Sequence, residues 1–209
     1  MQRIEHREGE WAFPFVSYEP KKTEGKLPLI LQLHGAGERG EGGEDLSLVD
    51  VHGFSKMAGA GEYDCLFVMP QCPKESFWAA RVESVLRFID QLKKAYPIDE
   101  SRIYLTGLSM GGYGTWYTAM ARPATFAAIA PICGGGMAWN ARVLDMPVRV
   151  WHGVQDAAVD VKNSDEMVAA LQKAQRDVTY TRMEGVGHSV WTYAYNEELY
   201  HWLLSKKRT

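Results

Sequence analysis

Short apolar runs alternate with segments of helical period along most of this chain, and few architectures accommodate that order. Residues 27–33, 63–69, 102–106, 126–131 and 148–151 are brief stretches rich in Ile, Leu, Phe and Val, the pattern of strands covered on both faces. Over 77–96, Trp78, Val82, Val85, Ile89, Leu92 and Tyr96 recur at steps of four and three, with Arg81, Arg87, Asp90 and Lys94 on the other side. That spacing predicts an amphipathic helix. Asn163 and Glu166 read as a capping pair before a helix with Met167, Leu171 and Ala174 on its apolar face, and Trp191, Tyr195, Leu199 and Trp202 mark a last helix. Residues 179–183 predict another strand, and 11–18 an antiparallel edge strand on which Pro14 is tolerated. Strands alternating with helices imply right-handed βαβ units, hence an α/β fold: a three-layer sandwich whose mostly parallel sheet is flanked by helices. Ligands of such sheets gather at the carboxyl ends of the strands.

The remaining properties narrow the class. A length of 209 residues suits a single domain, 1–209, and 46% hydrophobic with 23% charged residues excludes a disordered or coiled-coil chain. A net charge of −3 leaves no basic surface to neutralise many phosphates, so nucleic acid is not an expected partner; a small-molecule ester is. Cys65, Cys72 and Cys133 are odd in number and form no C-x-x-C pair, which points away from a disulfide framework or a zinc knuckle. Residues 1–8 carry charges where a leader needs an apolar core, and no stretch reaches membrane-spanning length, so no membrane partner is expected. As written the chain reads as cytoplasmic, or as secreted or periplasmic if a leader has been removed.

Chemistry concentrates where predicted strands end. Gly107-Leu108-Ser109-Met110-Gly111 follows the strand at 102–106 and precedes a helix-like segment reaching Met120. A sharp strand-to-helix turn holds its serine in strained backbone geometry, and side chains two residues to either side would collide, which explains both glycines. Ser109 is the expected nucleophile, and it needs a base oriented by a carboxylate. Of six histidines, His6 and His201 lie in charged surroundings and read as solvated, His52 lies in a loop, and His34 and His152 read as imidazoles that stabilise turns. His188 follows the strand at 179–183 through Gly185-Val186-Gly187 and is the expected base. Asp156, in the loop after 148–151, is the expected acid, with Asp160 the weaker choice as a solvated carboxylate before a helix. Oxyanion donors are expected from the N–H of Ala36, helped by Gly37, in His34-Gly35-Ala36-Gly37, and from the N–H of Met110.

These pieces, in the order Ser109, Asp156, His188 and spanning 27 to 190, resemble the α/β-hydrolase fold family. Leu33-His34-Gly35-Ala36-Gly37-Glu38-Arg39-Gly40, the segment 107–114, and Trp151-His152-Gly153 with Asp156 are similar to lidless carboxylesterases of the feruloyl-esterase-like, phospholipase/carboxylesterase-like and "predicted peptidase" branch. The resemblance implies ester hydrolysis through an acyl-enzyme, with no cofactor and no metal. Serine rather than cysteine at the elbow departs from the similar dienelactone hydrolases. Residues 132–147 allow only a small flap and no large cap, and Gly134-Gly135-Gly136 suggests that it moves. Trp78, Trp139 and Trp191 are placed to line the mouth for an aromatic acyl group or a sugar. Glu38, Arg39, Glu41, Glu44 and Asp45 read as a solvated loop. A peptidase or thioesterase on the same residues, a metal-dependent hydrolase using His34, His152 and His188, and a catalytically silent binding module are the competing readings.

Overall fold

A computed structural model describes residues 1–7 and 9–208. Eight strands form one sheet: β1 (Gln2–His6), β2 (Phe15–Glu19), β3 (Leu27–Leu33), β4 (Leu66–Pro70), β5 (Ile98–Leu108), β6 (Ala128–Ile132), β7 (Val148–Gly153) and β8 (Val178–Met183), in the order β1-β2-β4-β3-β5-β6-β7-β8. β1–β2 and β2–β4 pair antiparallel, and the other neighbours pair parallel. Among the described residues the α-helices are α1 (Ser55–Ala60), α2 (Val82–Ala95), α3 (Met110–Ala121), α4 (Lys162–Lys173), α5 (Trp191–Ala194) and α6 (Glu197–Leu204).

The period of two in the strands sorts side chains between two cores. Leu29, Leu31, Leu33, Leu105 and Val150 face α2, α3 and α4, whereas Ile30, Phe67, Tyr104, Ala130 and Trp151 face α1, α5 and α6. Both faces are therefore covered, as the uninterrupted apolar runs predict, and the architecture is the three-layer α/β-hydrolase sandwich. None of the described helices is long and apolar enough to cross a membrane.

Local departures from the sequence reading have identifiable causes. The segment at 11–18 is not the edge: its strand begins at Phe15, just past Pro14, and β1 from the charged N-terminus takes the outer position. The helix predicted over 77–96 breaks at Arg81, because Trp78 is pinned in a 3-10 turn (Trp78–Ala80) by its Nε1–H bond to the His34 carbonyl at 3.0 Å. Asn163 and Glu166 form no capping box: α4 already starts at Lys162, and the Asn163 amide donates back to the Asp160 carbonyl at 2.9 Å. The last predicted helix is two, divided at Tyr195–Asn196, where Asn196 Oδ1 accepts the Leu199 N–H at 2.9 Å and starts α6 as an N-cap. Trp202 lies on the half-exposed side of α6, with Arg149 5.0 Å from its ring centroid, while Leu199, Tyr200 and Leu203 carry the buried face.

Candidate active site

β5 delivers the chain to the carboxyl edge at Leu108, α3 leaves from Met110, and Ser109 is the hinge between them, with φ 54° and ψ −116°. A non-glycine residue in that region is strained and persists only where its surroundings hold it. Here the Ser109 N–H donates to the Ile132 carbonyl at 2.9 Å, and its own carbonyl accepts from Tyr113 at 3.1 Å. The flanking glycines are sterically required. A Cβ at Gly107 would strike the Gly111 carbonyl, and one at Gly111 would strike the Leu33 carbonyl, both of them backbone that cannot swing aside.

Asp156 and His188 come from loops that are stitched together. Val154 and Gln155 donate their N–H groups to the Met183 and Val186 carbonyls, each at 2.9 Å, and a Cβ at Gly153 would overlap the Val186 and Gly187 carbonyls, so glycine permits the approach. The result is a continuous hydrogen-bonded line. His188 Nδ1 lies 2.7 Å from Asp156 Oδ2, and its Nε2 lies 2.9 Å from Ser109 Oγ. A carboxylate only accepts, so Nδ1 carries the proton and Nε2 is left to accept from the serine hydroxyl. Burial alone would raise the Asp156 pKa, but the His188 hydrogen bond and the N–H groups of Val159 and Ala158 on its carboxylate outweigh that and hold it below the ordinary carboxylate value.

The loop after β3 closes the site from the opposite side. A Cβ at Gly35 would stand 3.8 Å from that of Ser109, so the two turns are in contact. Ala36 and Met110 are each the first residue of a helix, of the 3-10 turn Ala36–Glu38 and of α3, where an N–H has no intrahelical acceptor. His34 is indeed a turn-stabilising imidazole: its Nδ1–H donates to the Gly35 carbonyl at 2.6 Å, while its Nε2 accepts the Cys72 N–H at 2.9 Å. Burial pushes its pKa down to about 4, so the ring is neutral and its 3.9 Å approach to Glu38 is not an ion pair.

The remaining predicted site residues separate. Trp78 does not line the mouth: it is fully buried against Phe13, His34 and Gly114, and its indole anchors the His34 carbonyl. Trp139 is 78% exposed in the 3-10 turn Ala138–Val143. Trp191 packs edge-on against His188 with ring centroids 5.1 Å apart, and with His52, Lys56, Met57, Thr192 and Tyr195 it bounds a cavity of about 140 Å³. Asp160 is exposed, with Oδ1 accepting the Lys162 N–H at the start of α4. His6 is stacked on Phe15 at 4.0 Å and half-buried rather than solvated. Gly134–136 are not the hinge of a flap; Cβ atoms there would press on Gly112 and Tyr113, on Asn163, and on Trp116 and Met167, so these glycines serve close packing.

The sequence reading passed over three neighbours of the site. Cys133, at φ 40°, brings its sulfur within 4.8 Å of ligand atoms of Asp156 and His188, and burial pushes its thiol up to about 12. His34 does not join that cluster, because both its ring nitrogens are engaged elsewhere, and His152 only borders it, with Nε2 bonded to the Val159 carbonyl and 3.3 Å from Asp156 Oδ2. The side chain of Glu38 is 14% exposed rather than solvated, and beside Gly35 its Oε2 has no hydrogen-bond partner among the described residues. His52 stands between Glu38, at 3.9 Å, and Trp191.

Comparison with known proteins agrees with this fold. Over 189 residues the chain is 27% identical to a bifunctional acetylxylan esterase/xylanase of Neocallimastix patriciarum, covering 84% of this chain and 27% of that protein. It is 27% identical over 129 residues to poly(3-hydroxyalkanoate) depolymerase C of Paucimonas lemoignei, covering 56% of this chain and 30% of that protein. The chain thus spans less than a third of the length of these curated relatives. Among solved structures, a thermostable esterase superposes with a TM-score of 0.83 at 33% identity, covering 99% of this chain and 63% of that one. Residues 63–201, more than half of the sequence, match the phospholipase/carboxylesterase family, and the chain belongs to that family.

Proposed function

We propose that this protein hydrolyses carboxylic esters of small molecules through a covalent acyl-enzyme on Ser109. The observation that carries the reading is one imidazole bridging two partners, Ser109 Oγ at 2.9 Å and Asp156 Oδ2 at 2.7 Å. His188 Nε2 takes the hydroxyl proton as Ser109 Oγ attacks the ester carbonyl, while Asp156 holds the ring in the Nδ1–H form and stabilises the imidazolium. The N–H groups of Ala36 and Met110, with Gly37 adjacent, receive the developing oxyanion. Collapse breaks the bond to the leaving alcohol, which carries away the proton from His188. Water then gives its proton to His188 and attacks the acyl carbon, and Ser109 Oγ departs and recovers that proton.

Short-chain or aromatic acyl esters of carbohydrate are the favoured substrates. Support comes from the half-exposed Trp191 next to the base, an amphipathic ring that suits a sugar or an aromatic acyl group, and from the acetylxylan esterase activity named for one relative. The test is hydrolysis of p-nitrophenyl acetate together with labelling by a fluorophosphonate. Ser109→Ala should abolish the label and lower kcat/KM by at least about 10³-fold. A folded wild-type protein that neither turns over nor is labelled would sink the proposal. A panel of acetyl, feruloyl and longer acyl esters, amides and thioesters then ranks substrates; higher kcat/KM on amides or thioesters would displace the ester reading.

A further inference from the structure

Asp156 lies beside two histidines, and the chemistry above uses one. His152, in β7, is fully buried, and its Nε2 lies 2.9 Å from the Val159 carbonyl and 3.3 Å from Asp156 Oδ2, the same oxygen that His188 approaches at 2.7 Å. Both atoms facing that nitrogen are acceptors, so Nε2 bears a proton. The other ring nitrogen lies 2.7 Å from Ser164 Oγ in α4, and that hydroxyl is 3.0 Å from the Gly134 carbonyl. Gly134 packs directly against Gly112 and Tyr113 in the first turns of α3. A polar chain therefore runs from the acid through β7 and α4 to the helix that carries the Ser109 turn.

We infer that His152 is a positioning residue: its Nε2–H, bonded to the Val159 carbonyl and standing 3.3 Å from Asp156 Oδ2, fixes the rotation of the carboxylate and draws off part of its negative charge. The inference rests on the proposed roles of Ser109, His188 and Asp156. The groups facing Asp156 are His188 after β8, His152 in β7, Cys133 after β6, Tyr113 in α3 and the N–H groups of Ala158 and Val159. Burial raises both the Cys133 thiol and the Tyr113 hydroxyl, so these keep their protons at neutral pH and leave the two imidazoles as partners of the carboxylate. Loss of the His152 donor would return charge to Asp156 and make the His188 imidazolium easier to form.

Two amides distinguish a donor from a space-filler. Glutamine at 152 can place an N–H where Nε2 stands, whereas asparagine reaches only the Nδ1 position. With p-nitrophenyl acetate, His152→Asn should lower kcat about tenfold, the size of one hydrogen bond, with KM within about twofold of wild type. It should also move the acid limb of kcat/KM upward by roughly half a pH unit. His152→Gln should restore kcat to within about threefold and return the limb to its wild-type position. Equal effects of the two substitutions, or an Asn variant with unchanged kcat and limb, would overturn the inference. Should the Asn variant not fold, ¹⁵N NMR of the wild-type imidazoles decides: the inference requires a protonated His152 Nε2, and an unprotonated one refutes it. A wild-type protein without turnover or label counts against the esterase reading instead.

Discussion

Ser109 holds a backbone conformation that costs on the order of 1–3 kcal/mol, and its neighbours show how the chain sustains it. Two backbone hydrogen bonds clamp it, and two glycines remove the Cβ atoms that would push the turns apart. The same steric argument predicts opposite outcomes at two glycines of the site. Gly111→Ala drives a methyl into the Leu33 carbonyl and should destabilise by more than about 3 kcal/mol in urea unfolding, or shift the turn enough to remove fluorophosphonate labelling. Gly37→Ala meets no atom within 4 Å and should change stability by no more than about 0.5 kcal/mol. Glycine spacing around a serine was readable in the sequence because the constraint is local. The burial of Glu38 was not: a charged run looks solvated until Gly35 and His52 pack against it.

At the scale of elements, periodicity located the strands and helices, and capping chemistry decided where they stop. The spacing of Trp191, Tyr195, Leu199 and Trp202 runs through the break between α5 and α6 without a phase change, so hydrophobic period alone reads one helix. The available signal was Asn196 followed by Glu197 and Glu198, a cap and an acidic first turn that favours the positive end of the helix dipole. Asn196→Ala should therefore cost about 1 kcal/mol in the urea midpoint and loosen α6, and Asn196→Asp should retain most of the stability. The α2 entry illustrates the converse case. Trp78 fits the helical stripe, yet its indole leaves that register to bond a carbonyl 44 residues away in sequence, which no local pattern encodes.

For the whole molecule, two sets of groups shape the response to acid. Folding keeps the proton off His34, whose pKa falls to about 4 from 6.5, chiefly by burial. Above pH 6.5 both folded and unfolded rings are neutral; as pH falls towards 4 the unfolded chain takes up a proton that the folded chain refuses, and stability drops by up to ~3 kcal/mol. His6, lowered by desolvation, adds to the same window. Asp99, held at about 2 chiefly by its Ser101 hydrogen bond, and Asp156 and Asp145, also lowered, contribute stability that disappears only below their unfolded values near 3.8. Urea unfolding at pH 7, 5.5 and 4.5 should show a loss before the carboxylates titrate, and His34→Gln should flatten that part of the curve while lowering stability throughout.

The amino-acid order by itself determined the alternating α/β architecture, the turn at Ser109 and the succession of serine, acid and histidine, since each depends on period, glycine placement or chain order. Convergence was decided by tertiary structure. Asp156 and His188, 32 positions apart, and Ser109 and His188, 79 positions apart, are brought to hydrogen-bonding distance only because β5, β7 and β8 end on one sheet edge. Which tryptophan is buried, which carboxylate is unpaired and which second histidine touches the acid depend on the same nonlocal packing, where a side chain's surroundings come from distant strands.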